Sequence, residues 1–279
     1  MTRSDPLAQR WLVGVELARL RRRAGMTLLE VSTATDISKP KLGHFESGRY
    51  HQNSDDIARI ARACGASDAE ADRLVALSQQ SDGKTWWAPW SHVVASWFKT
   101  YLGLEGFAES IFAFEPIVMP GLLQTADYAE AITRASIVVR PDYVARLVEL
   151  RRARASRLEG DSPLQVHAVI GEPALRLHAG TPEVRMAQMR HLTDLAEHPN
   201  VTIQVLSLEN GPYAALSAGK FDLFRFAHAD PIAYTEQLDD AKYVHDLDKI
   251  GTYNVVVEDL QRLAYTPSAS LDLIREAID

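Results

Sequence analysis

The sequence predicts an α+β chain: an all-helical N-terminal helix-turn-helix domain over residues 1–81, then a mixed α/β domain over 91–279. Three observations predict it. Residues 12–81 break into short stretches with helical apolar spacing and capping residues between them. Beyond residue 110, strand-like runs instead alternate with amphipathic stretches, the pattern of an α/β unit. Charge is unevenly spread along the chain as well. The formal net charge is −7, yet residues 1–65 hold eleven Lys/Arg against seven Asp/Glu, so the acidic surplus lies wholly in the remainder. A basic part suited to phosphate is thus joined to an acidic part that phosphate repels.

Leu12, Val15, Leu17 and Leu20 predict a first helix, closed by Arg21-Arg22-Arg23-Ala24-Gly25. Thr27-Leu28-Leu29-Glu30 has the capping-box spacing that opens a second. Ser38 is read as the cap of a third, with Pro40 tolerated in its first turn. Residues 55–63 and 67–81 supply two more. Residues 82–90, turn-forming and rich in tryptophan, are the expected linker. Strands are expected at 111–118, 165–170, 201–206, 221–226 and 232–238. Helices are expected at 125–135, 141–158, 182–197 and 246–264, with a last one starting at Ser268.

A helix-turn-helix holds two helices at a fixed angle and pushes the second into the major groove. Residues 27–48 supply its parts. Leu28 or Leu29, Val31, Ile37, Leu42 and Phe45 face inward, and Ser32 is small where the helices cross. Asp36 stands at a turn that needs a left-handed residue, which Asp tolerates. Ser38, Lys39, Lys41 and His44 remain on the outer face of the third helix. Gly43 weakens that helix by roughly 1 kcal/mol relative to Ala.

The segment resembles the Xre/Cro-type helix-turn-helix, whose recognition helix runs S-x-x-x-apolar-x-x-apolar-E-x-G. That pattern appears here at Ser38, Leu42, Phe45, Glu46 and Gly48. The resemblance implies base contacts from Lys39, Pro40 and His44, and phosphate contacts from Thr27, Leu28, Arg49 and His51. Lys39 suits guanine O6 or N7, whereas Pro40 offers only apolar contact. The rest of the chain resembles the large domain of unknown function that follows such a motif in actinobacterial, antitoxin-like regulators of the Scr1-like group. The matching stretches are 97–105, 114–128 (with P-G-L-L-Q-T), 149–154, 191–206 and 253–274. The resemblance implies a transcription factor, often with a small partner protein encoded beside it.

The expected partners are therefore double-stranded DNA, a second copy of the chain, and either a small partner protein or a small-molecule effector. Trp86, Trp87, Trp90 and Trp97 concentrate aromatic surface after the linker. They either seal the joint between domains or line a pocket or dimer seam, packing being the simpler reading. Arg151, Arg152, Arg154 and Arg157 cluster on one expected helix. They read as a solvated face or as a site for an acidic partner or DNA phosphates.

The single cysteine, Cys64, excludes an internal disulfide and a cysteine zinc site and reads as a small buried residue. His191 and His198, seven apart on one expected helix, lack the companions of a metal site. No nucleophile elbow, P-loop, dinucleotide turn or H-E-x-x-H is present, so no catalytic residue, metal or cofactor is expected. Glu115 and Glu172 read as single carboxylates at strand ends. No run approaches the ~20 apolar residues of a membrane span, and a cytoplasmic location is expected. Two other classes stay open: an interaction protein that binds a partner and autoregulates, and an enzyme with a regulatory DNA-binding domain.

Overall fold

The computed structural model describes residues 5–79 and 85–278. Five helices form the N-terminal part: α1 (Pro6–Arg23), α2 (Leu28–Thr35), α3 (Lys39–Glu46), α4 (Ser54–Ala63) and α5 (Asp68–Ser78). Local chemistry sets most of their ends. Thr27 and Glu30 complete a capping box at α2, and Ser67 and Glu70 do the same at α5. Asp36 closes α2 in the left-handed region at φ 56°. Leu28 is the inward-facing leucine, while Leu29 is exposed.

Three expectations are corrected here. The first helix begins at Pro6, a turn and a half before the apolar stripe, because the Asp5 carboxylate accepts from the amides of Leu7 and Ala8. Ser38 occupies the N-cap position of α3 but makes no side-chain cap bond. Helix α5 ends at Ser78, and residues 80–84, which hold the end of the expected helix and the start of the expected linker, lie outside the described residues.

The second part contains α6 (Ser96–Phe107), β1 (Ser110–Glu115), α7 (Ala126–Ala135), α8 (Val144–Ala155), β2 (Gln165–Gly171), α9 (Glu172–Arg176), α10 (Pro182–Leu195) and β3 (Val201–Leu206). Then come β4 (Phe221–Arg225), β5 (Ile232–Glu236), β6 (Ala241–Val244), α11 (Leu247–Leu263) and α12 (Pro267–Glu276). The strands make one six-stranded sheet in the order β3-β2-β1-β4-β5-β6. β1, β2 and β3 run parallel, and β4, β5 and β6 are antiparallel to their neighbours. The expected strand-helix-strand unit over 165–206 is thus real, with α10 joining parallel neighbours. Pro116 follows the last residue of β1, which stops short of Val118 because proline brings no ladder donor.

Helix α11 covers one sheet face, where Ile250, Val257 and Leu260 meet Phe112, Phe114, Phe221 and Leu223. The other face joins a larger core that runs without interruption into the N-terminal helices: Ile111, Phe224 and Tyr234 belong to the same cluster as Leu12, Leu17 and Phe45. Helix α1 explains this continuity. It is buried on most of its circumference, with Leu12, Val13, Val15, Glu16, Leu17 and Leu20 all enclosed, because both parts of the molecule pack on it.

Candidate functional site

Two regions gather chemistry: the outer face of α3 and a cavity over the sheet. Gly14 sets the seat of α3. A Cβ there would lie 2.5 Å from the Phe45 carbonyl oxygen and 2.7 Å from that of Glu46, so only glycine lets α1 and α3 approach so closely. Gly48, at φ +68°, ends α3 in the left-handed region and returns the chain against Trp11. Arg21 of α1 clamps the end of α3 by donating from Nε (2.6 Å) and Nη2 (2.8 Å) to the two oxygens of Glu46.

On this seat Thr27, Ser38, Lys39, Pro40, Lys41, Arg49 and His51 are all exposed, and His44 is half-buried. Lys39 and Arg49 make no ion pair among the described residues and are the free cations of the face. Lys41 is held back: its Nζ lies 2.9 Å from Asp56 of α4 and 5.1 Å from the Phe45 ring centroid. His44 stacks on Tyr50, ring centroids 4.4 Å apart, which orients its imidazole. Gly43 has open space where a Cβ would stand, so nothing in the fold requires it to be glycine.

The four tryptophans divide. Trp87 is buried, and its indole N–H donates to the Asp5 carboxylate, tying the expected linker to the start of α1. Trp86 donates to the Leu102 carbonyl (3.1 Å) and meets Trp90 edge-on; both pack on a small core of Val93, Val94, Leu102 and Leu150. Trp97 lines the cavity.

That cavity has a volume of about 670 Å³ and lies between the sheet and helices α6, α7 and α8. Its floor is one cross-strand row and the charged group beside it. Ala113, Asp222 and Tyr234 stand opposite one another on β1, β4 and β5. Beside them are Glu115, Lys220 and Glu236, with Lys220 Nζ 2.7 Å from Glu236 and 3.6 Å from Glu115. Its walls are Trp97, Phe98 and Tyr101 of α6, Ile132 of α7, and Leu147, Arg151 and Arg154 of α8.

Burial shapes the ionisation of these groups. It pushes the Glu115 carboxyl up to about 8, against the pull of Lys220, and the Asp222 carboxyl up to about 6. Burial lowers the Arg151 guanidinium to about 10, helped by neighbouring Arg154. For Arg154 burial works the same way, but the Glu105 carboxylate outweighs it and holds the guanidinium charged.

The arginine cluster is therefore not a solvated face. Arg154 pairs with wholly buried Glu105, and Arg157 donates to the carbonyls of Ala108 and Ser162. Arg151 donates to Ala129 and Thr133 of α7, and only Arg152 is exposed. His198 lies beyond the end of α10 and shares no helix face with His191. Glu172 bonds Ser207 and the Leu208 amide. Glu115 stands at the end of β1, as expected, and there it forms part of the cavity floor. Cys64 is buried, as expected.

The elements that wall the cavity also contact the N-terminal helices. The Tyr243 hydroxyl on β6 donates to the Trp97 carbonyl (2.7 Å), and its ring meets Trp11 of α1 edge-on with centroids 5.7 Å apart. Asp230, just before β5, ion-pairs with Arg19 of α1 and Arg73 of α5, and its amide donates to Glu16. Gly103 of α6 abuts Ala8 of α1 so closely that no Cβ fits.

A family model described as a helix-turn-helix domain matches residues 12–74, and one described as a domain of unknown function (DUF5753) matches residues 98–276. No curated protein and no solved structure matches the chain. The helix-turn-helix match marks a DNA-binding regulator. No helix among the described residues is long and apolar enough to cross a membrane.

Proposed function

The chain belongs to the family of the domain of unknown function DUF5753, with a helix-turn-helix domain ahead of it, and on that premise we propose that it is a sequence-specific transcriptional regulator of the Xre/Cro type whose Scr1-like C-terminal domain senses a small molecule. It acts as a regulator and not as an enzyme. Lys39 and His44 read bases, while Thr27, Arg49 and His51 meet phosphates. It binds double-stranded DNA as a homodimer, because one small domain rarely supplies enough specificity.

One observation carries the sensing half of this reading: the same elements that wall the cavity hold α1. Helix α6 and the β5–β6 hairpin contribute Trp97, Tyr101 and Tyr234 to the cavity while Gly103, Tyr243 and Asp230 press on α1 and α5. Helix α1 in turn seats α3 at Gly14. A ligand that binds one arrangement of these walls better than another shifts the population of α1–α3 geometries, by no more than its differential affinity.

The DNA half is tested by selecting binding sites from random duplexes and comparing the parent with Lys39→Ala and Arg49→Ala. Lys39→Ala is expected to lose about 1–3 kcal/mol and to relax specificity at one base pair. Arg49→Ala is expected to weaken binding evenly across sequences and to lower the salt dependence by about one unit. Parental affinity and specificity in both variants would show that this face does not read DNA.

A further inference from the structure

The cavity has two poles of opposite charge, and from them we infer its ligand class: a zwitterionic amphiphile, with one ammonium and one carboxylate on an apolar or aromatic body, as in an amino acid or short peptide. This rests on the sensing role proposed above and names the effector that role requires.

The negative pole is the floor. Glu115, Asp222 and Glu236 surround a single ammonium, Lys220. At neutral pH Glu115 keeps its proton, so Asp222 and Glu236 against Lys220 leave one negative charge uncompensated. Asp222 accepts a hydrogen bond from the Tyr101 hydroxyl and forms no ion pair within 4.0 Å among the described residues.

The positive pole is Arg151, on the opposite wall. Three other cations line the cavity, and each has a carboxylate: Arg140 has Asp142, Arg154 has Glu105, and Lys220 has Glu236 and Glu115. Arg151 has none within 4.0 Å among the described residues. Its Nη1 donates to neutral acceptors, the Ala129 carbonyl at 3.1 Å and the Thr133 hydroxyl at 2.8 Å. Nε and Nη2, the edge that grips a carboxylate in bidentate fashion, carry no hydrogen bond among the described residues.

Between the poles the wall is apolar and aromatic, from Trp97, Phe98, Ile132 and Leu147. The volume falls in the range of small-molecule sites. An ammonium at the floor relieves the carboxylate surplus, and a carboxylate at Arg151 supplies its missing counter-ion. A ligand with one charge satisfies one pole and leaves the other buried without a counter-ion in contact.

The test is calorimetric titration of the full-length protein at neutral pH. The zwitterions are L-tryptophan and L-phenylalanyl-L-phenylalanine, and the one-charge analogues are tryptamine, indolepropanoate, and the dipeptide's amide and N-acetyl forms. At least one zwitterion is expected to bind on the order of tenfold tighter than both of its analogues, the worth of one charge-assisted contact. Arg151→Met, with folding checked by its melting curve, should bring that zwitterion down to its cationic analogue and leave the cationic analogue unchanged. Asp222→Asn should bring it down to the anionic analogue.

An analogue that matches its zwitterion, or no binding by either zwitterion, overturns the assignment; the parent protein alone decides this. DNA affinity measured with the zwitterion bound separates the two claims. A bound zwitterion that leaves DNA affinity unchanged removes the sensing role and keeps the ligand class. An effector of another class that shifts DNA affinity does the reverse.

Discussion

The buried pair Glu105–Arg154 joins α6 to α8 across the cavity wall, and its removal has a calculable asymmetry. Glu105 is 0% exposed and Arg154 5%. Arg154 Nε lies 3.0 and 3.1 Å from the two Glu105 oxygens, and Nη2 lies 2.7 Å from one of them. The guanidinium also lies 5.1 Å from the Tyr101 ring centroid and 5.3 Å from that of Phe98. Glu105→Gln removes the counter-charge and strands a guanidinium that cannot shed its proton, at a loss typically of about 3–5 kcal/mol. Asp222 lies near enough to favour the Arg154 charge, which places the expected loss near the lower end. Replacing both partners, as Glu105→Leu with Arg154→Met, removes the stranded charge and keeps the volume, so the double variant should recover most of the loss. Urea unfolding of the parent, both singles and the double measures the cycle. A Glu105→Gln loss under about 1 kcal/mol, or a double variant no more stable than the singles, would refute the claim that this pair is desolvated.

Two further outcomes follow from the cavity floor and the α1–α3 seat. The Glu115 carboxyl is raised by burial to about 8 from an ordinary 4.5, so the folded state holds a proton that the unfolded state has lost. Stability should therefore fall as pH rises from about 5 to about 8, by at most ~1.4 kcal/mol per pH unit from this group. Glu115→Gln should flatten that slope in melting curves across the range, and an unchanged slope would mean that Glu115 titrates normally. Gly14→Ala places a Cβ 2.5 Å from the Phe45 carbonyl oxygen, inside the 3.0 Å that such atoms essentially never cross. The helices must part, with a loss of about 1–3 kcal/mol and a displaced α3. Melting temperature and DNA affinity by fluorescence anisotropy should both drop, and parental values of both would show that α1 does not set the position of α3.

The helix-turn-helix was readable because its signals are local. Thr27 and Glu30 cap across three residues, Asp36 tolerates a left-handed turn, and Leu42 and Phe45 lie one turn apart on one face. Strand β3 carried period-two alternation and was legible for the same reason, and β2 read as a strand from its short apolar run. Helix α6 was not, because it opens without a side-chain cap and is buried on all sides from Tyr101 to Phe107, leaving no apolar stripe to detect. Strand β6, four residues long, has too little alternation to read. The arginines of α8 misled because spacing places them on a helix but does not say what lies opposite; Glu105 stands 49 residues away in the chain.

The sequence by itself determined the elements whose cause lies within one or two turns: the caps, the third helix with Lys39 exposed, and the division of charge between the two parts. Only the tertiary structure decided that Lys41 is spent on Asp56 and that α1 is shared between the DNA-facing helices and the sheet. It alone brought Glu115, Asp222, Glu236 and Lys220 together opposite Arg151. The four floor residues meet through the β1-β4-β5 strand order, and α8 carries Arg151 over them. A carboxylate at a strand end reads alike whether it faces open water or a cavity. The difference is desolvation, which depends on what packs above the sheet and has no signature within the strand.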